Sequence, residues 1–209
     1  ALYSASFDDR TGSQVRPLGD LAEVVSGLTK GRRLSGQETR LVPYLAVANV
    51  QRGRLELASV KEIEATEAEI ERYQLRPGDV VMTEGGDPDK LGRGTVWRGE
   101  LPLCLHQNHI FRVRPVAGSG IDPTYLESYI ASREVRAYFL SSAKQTTGIA
   151  SINMTQLKAL PVRVPASDRQ RLFLDQLDSR QALRAAAQRS LDSLDELFAS
   201  LQSRAFSGQ

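Results

Sequence analysis

The residues with the most chemical potential lie in Glu84–Gly94, EGGDPDKLGRG, which holds four glycines, two aspartates, a lysine and an arginine. A phosphate cradle would need G-x-x-x-x-G-K-[ST] or G-x-G-x-x-G, so that backbone N–H groups converge on the anion. Neither spacing occurs here or around Gly118–Gly120. A metal-dependent nuclease needs a carboxylate pair for the cation and a lysine beside the attacked phosphate, commonly Pro-Asp followed by (Asp/Glu)-x-Lys. Pro88-Asp89 supplies the first half, but no Asp or Glu has a lysine two residues on.

Cys104, His106 and His109, the only cysteine and histidines, suggest zinc. On a strand, residues 104 and 106 share a face and residue 109 points the other way. Three ligands on two faces, with no second cluster, make a poor site. A buried cysteine and two histidines on a polar face are the simpler reading. There is no G-x-S-x-G, and two histidines leave little room for a Ser–His–Asp arrangement. Asp122-Pro123-Thr124-Tyr125 is not the N/D-P-P-Y pattern of amine methylation; it suits a helix start. The expectation is a non-catalytic chain with no metal site.

Polar loops carrying groups suited to nucleic acid remain. Residues 28–39 offer Lys30, Arg32 and Arg33; residues 84–94 offer Lys90 and Arg93. Residues 141–155 offer Lys144, Gln145, Thr146, Thr147, Ser151 and Asn153, and Gln107 and Asn108 stand in LCLHQNHI. Arg and Lys suit phosphates and guanine edges, Gln and Asn suit adenine, and Ser and Thr suit either base or backbone. Each loop taken alone reads equally as solvated surface, and composition leaves both readings open.

Composition bounds what can position these loops. With 209 residues, 41% hydrophobic and 25% charged, the chain has enough apolar material for one large packed domain or one domain with an appendage. A net charge of +2 is too small to argue for nucleic acid alone. No apolar run is long enough to cross a membrane. The first residues, ALYSASFDDRTG, lack a basic stretch followed by an apolar core, so no secretory signal is expected, and a lone cysteine fits a reducing, cytoplasmic setting.

Residues 1–15 read as a loose arm, 17–27 as a short helix or strand, and 41–50 as a strand. A short acidic helix follows near 65–71, then a turn at Pro77-Gly78-Asp79 into a buried strand ending at 83. Further strands are expected at GTVW and over 103–116, a helix over 121–141, a loop over 141–153 and a strand over 157–165. After Ser167-Asp168 no glycine or proline occurs until Gly208, which predicts a helix over 168–206, about 58 Å long at 1.5 Å per residue. Ala187, Leu191, Leu194, Phe198, Leu201 and Ala205 keep a three-four spacing, a coiled-coil seam. No other predicted helix is long enough to cover it, so Leu191, Leu194, Phe198 and Leu201 are expected to pack on another chain. The fold class is α+β: a mixed α/β domain over 1–166, then a long coiled-coil helix over 167–209.

The order of these pieces resembles the specificity (S) subunit of type I restriction–modification systems. RPLGDLAEVVSG (16–27), VPYLAVANVQRGRL (42–55), LRPGDVVMTEGG (75–86) and GRGTVW (92–97) are similar to successive elements of its target recognition domain. LHQNHIFRVRP (105–115), IDPTYLESYIASREVRAYF (121–139), TTGIASINMTQLKALPVRVPASDRQ (146–170) and SLDELFASLQSRAFSG (193–208) continue the series. The tryptophan frequent before the LGD element is absent, since Val15-Arg16 stand there and Trp97 is the only one. A full S subunit carries two recognition domains and two long helices, so this chain resembles a half-length S subunit or one half of a longer chain.

The resemblance implies that each recognition domain reads half of a split site on double-stranded DNA, and that paired helices set the spacer. Methyltransferase (modification) subunits, which bind S-adenosylmethionine, would dock on it and methylate adenine; restriction subunits would add cleavage. It also implies a homodimer through the helix, no cofactor in this chain and a role in phage defence. Two other readings remain: a recognition-domain fragment of a fused restriction–methylation enzyme, and a coiled-coil scaffold whose globule binds protein.

Overall fold

The computed structural model describes residues 13–86, 91–142, 144–146 and 149–206. The chain divides into two compact units, Ala1–Ser167 and Asp168–Gln209.

The first unit is built on a four-stranded antiparallel sheet, in the order Ala22–Ser26, Ile110–Pro115, Val80–Thr83, Gly94–Val96. The run VVMT is buried at every position, as expected of a central strand covered on both faces. A second sheet orders Leu105–His106, Arg40–Leu45 and Lys61–Ala65, the first pair parallel and the second antiparallel. Leu45, Val50, Leu75, Val81, Trp97, Cys104 and Ile110 form one buried cluster. Leu28, Val42, Tyr44, Ala65, Ile70 and Leu105 form another.

Two arginines on the central strand hold its flanks. Arg114 grips the buried Asp79 with two parallel bonds, Nε to Oδ1 at 2.6 Å and Nη2 to Oδ2 at 2.7 Å. Such a fork is a strong, charge-assisted contact, and it fixes the turn Pro77–Asp79 that starts the next strand. Arg112 is buried and donates to the carbonyls of Arg72 and Gln74 and to the Glu23 carboxylate. Burial pushes its pKa below the ordinary arginine value, while the Asp79 hydrogen bonds push that of Arg114 above it.

The helices begin where the sequence provides caps. Thr66 and Glu69 form a reciprocal capping box opening Glu67–Tyr73. Asp122 accepts from the N–H groups of Thr124 and Tyr125 and opens Pro123–Ile130. The helix expected over 121–141 is two, because Ser132 accepts from Val135 N and starts a new one, Arg133–Ser142. The 103–116 run is likewise two strands, Leu105–His106 and Ile110–Pro115, with a turn closed by Ile110 N to Gln107 O at 2.8 Å. In the arm expected over 1–15, residues 14 and 15 belong to the strand Gln14–Pro17, which pairs antiparallel with Pro161–Val164.

The second unit is the helix Ser167–Phe206. Among the described residues no helix is long and apolar enough to cross a membrane.

Candidate nucleic-acid interface

Two of the polar loops, far apart in sequence, are tied to one turn, Gln107–His109, and a third is tied to them through Glu84–Gly86. On one side, Leu28 N donates to His106 O at 2.8 Å, Asn108 N to Leu28 O at 2.9 Å, and Ser26 Oγ to Asn108 O at 2.6 Å. This close crossing requires Gly27, since a Cβ there would lie 1.9 Å from the His106 carbonyl oxygen. The crossing fixes where the basic segment after Leu28 begins.

On the other side, Glu84 N donates to His109 O and Ile152 N donates to Glu84 O, both at 3.0 Å. Gly85 and Gly86 pair with Ser151 and Ala150, and Ile149–Ser151 pairs in turn with Lys144–Thr146. The expected loop over 141–153 therefore contains a hairpin that adds to Gly85–Gly86 as a three-stranded sheet. A Cβ at Gly85 would stand 2.8 Å from Ala150 O, so this glycine serves strand contact. Thr83 N bonds Arg93 O at 2.8 Å, and Gly53 N bonds Gly94 O at 3.0 Å, which brings the hairpin turn 51–54 to the same group.

The expected contact residues differ in what they are free to do. Lys30 and Arg33 are exposed, with Lys30 Nζ 5.2 Å from the Tyr44 ring centre. Arg32 is engaged within the fold, paired with Glu69 and bonded to the carbonyls of Glu64 and Thr29. Arg93 donates to Gln51 Oε1 at 3.0 Å, and its Nε has no partner among the described residues. Gln107, Asn108 and Ser151 are half-buried. Asn153 caps the helix Met154–Lys158, exchanging bonds of 2.8 Å with Gln156. Lys144 and Thr146 lie on the strand Lys144–Thr146. Lys90 and Thr147 lie outside the described residues.

Glu84, Arg52 and Arg54 also lie at this surface, with His109, which the sequence suggests only as a metal ligand. Glu84 Oε2 and His109 Nδ1 are 2.9 Å apart, and His109 is largely exposed. Arg52 and Arg54 flank Gly53 on the exposed turn of QRGR. Gly53, between the short strands Val50–Gln51 and Arg54–Leu55, is the turn signal there; nothing in the sequence pairs residue 84 with residue 109.

Among the described residues no group of three or more His, Cys, Asp or Glu is placed to hold a metal. Burial pushes the Cys104 thiol up to about 12. His106 is fully buried and pushed down to about 4, with Nδ1 2.9 Å from Ile110 O. His109 stands apart from both, on the surface.

The fold, a mixed α/β unit and a long C-terminal helix, matches part of the fold of HsdS subunits. It is similar to the HsdS subunit from Thermoanaerobacter tengcongensis, with a TM-score of 0.60 and 19% identity over 88% of this chain and 41% of that one. A chain solved in work on complex assembly and conformational transition of the type I R-M system gives a TM-score of 0.60 and 17% identity, over 88% of this chain and 42% of that one. In sequence the chain is similar to the MjaX type I restriction enzyme specificity subunit assigned in Methanocaldococcus jannaschii, 25% identical over 160 residues, 76% of this chain and 37% of that one. It is 23% identical over 197 residues to the EcoKI specificity subunit of Escherichia coli K12, 90% of this chain and 41% of that one. The chain thus spans about two fifths of the length of these relatives. No family model matches it.

Proposed function

We propose that this chain is a DNA-sequence-reading specificity subunit of a type I restriction–modification assembly. It reads double-stranded DNA with the surface around Gln107–His109 and performs no chemistry itself. Methyltransferase subunits, carrying S-adenosylmethionine, methylate adenine at the site it selects; restriction subunits, where the assembly holds them, cleave. The observation that carries this reading is that two sequence-distant polar segments, at Leu28 and Glu84, bond the turn Gln107–His109 through their backbones, and a third, Ile149–Ile152, bonds Glu84–Gly86. Base readout needs side chains held in place by a rigid support, and such a scaffold provides it. Similarity to two specificity subunits supports the same reading.

The helix supplies the second half of the proposal. Leu191, Leu194, Phe198 and Leu201 recur at three-four spacing and are more than half exposed in the single chain. An apolar stripe of this kind is a coiled-coil seam awaiting a long helix, and a second copy offers one. Two copies related by a two-fold axis would read a split, palindromic target.

The test is binding of duplex DNA by the chain assembled with its methyltransferase. Affinity for one sequence should exceed that for others and fall linearly with the logarithm of salt concentration. Binding that is absent or insensitive to salt would overturn the reading.

A further inference from the structure

We propose that Glu84 is a specificity-determining residue, whose carboxylate, oriented by His109, accepts a hydrogen bond from the N4 amino group of a cytosine in the target. The inference rests on the DNA-reading function proposed above.

Glu84 is an acidic residue bonded to the turn Gln107–His109. Its backbone is held on both sides, by His109 O and by Ile152 N, each at 3.0 Å. The side chain is held too, with Oε2 2.9 Å from His109 Nδ1. The preceding residue, Thr83, is fixed in the central sheet opposite Ile110. The next two, Gly85 and Gly86, are fixed against the 149–151 strand. About a third of the Glu84 side chain is exposed, and more than half of that of His109.

An acid among groups suited to phosphate works against affinity, because it repels the backbone that the neighbouring cations attract. As a base reader it has a defined use. A carboxylate only accepts, and cytosine presents the N4 amino donor in the major groove. His109 stands against Oε2, and among the described residues no other side chain is bonded to the carboxylate, so the other oxygen is offered to the base. The pair therefore contributes discrimination at one position, where Arg33 and Lys30 contribute sequence-independent attraction.

The test is target selection from a randomised duplex library by the full chain assembled with methyltransferase subunits, comparing wild type with Glu84→Gln. A glutamine keeps the shape but can also donate, so preference for cytosine at one base pair should fall by roughly tenfold. Binding to DNA lacking the target should stay level or tighten. His109→Ala should relax the same position. His109→Asn, whose amide nitrogen can stand near the place of Nδ1, should restore part of the preference. Unchanged preference at every position in Glu84→Gln, with a selective wild type, overturns this assignment and leaves the DNA-reading function standing. A wild-type assembly that selects no sequence overturns both.

Discussion

Arg32 and Glu69, separated by 37 residues, form a forked ion pair, Nε to Oε1 at 2.5 Å and Nη2 to Oε2 at 2.9 Å. Both side chains are mostly buried, at 18% and 22% exposure. The same carboxylate also caps its own helix through Thr66. The pair pins the basic segment after Leu28 onto the helix Glu67–Tyr73, so Arg32 acts as a loop anchor, and Arg33 beside it is the exposed cation.

Arg32→Ala should therefore lower stability by about 1–2 kcal/mol, measured by urea denaturation. The hydrogen bond from Arg32 is the main cause holding the Glu69 carboxyl below its ordinary pKa. A depressed carboxyl contributes stability that is complete above the unfolded value, about 4.3, and is lost as pH falls through the folded value. The gap between wild type and Arg32→Ala should narrow below about pH 4. Arg33→Ala should instead leave stability unchanged and reduce the salt slope of DNA binding by about one.

His106 should give the fold a pH dependence of its own. Its pKa is pushed down to about 4 by burial, against about 6.5 in an unfolded chain. As pH falls below 6.5 the unfolded state takes up a proton that the folded state refuses. Stability should fall between about pH 6.5 and pH 4, by up to about 3 kcal/mol. His106→Asn keeps a donor toward the Ile110 carbonyl and removes the titration. Denaturation across this window should show a flatter pH profile for the variant; equal slopes would contradict the assignment.

Asn153 has a measurable structural duty apart from any contact with DNA. Asn153→Ala should cost about 1 kcal/mol through loss of the helix cap, while Asn153→Ser should retain most of it. Thermal melting of the two variants decides this.

The local signals in the sequence were those that a few neighbouring residues could express. The cap at Asp122-Pro123, the buried run Val80–Thr83 and the uninterrupted helix to Phe206 were readable because capping, burial and periodicity are local. The loop expected over 141–153 contains strands because Ile149–Ser151 pairs with Gly85–Gly86 on one side and with Lys144–Thr146 on the other, and a glycine pair carries no strand propensity. For the same reason the cations were legible by type, but the tie between Arg32 and Glu69 and that between Glu84 and His109 were not. Both depend on which loops the sheets bring together.

The helix seam makes an independent prediction. Leu194→Asp with Leu201→Asp places charges where two copies would bury them. Sedimentation should show a dimer for the wild type and a monomer for the double variant. A mass unchanged by the substitutions would refute the seam's role in association.

The most direct test of the central claim is methylome sequencing of a host carrying this chain with its methyltransferase. One methylated-adenine motif is expected, in two palindromic halves around a fixed spacer, present only when the chain is expressed and altered by Gln107→Ala with Asn108→Ala. The same methylation with and without the chain, or no methylated motif, would contradict it.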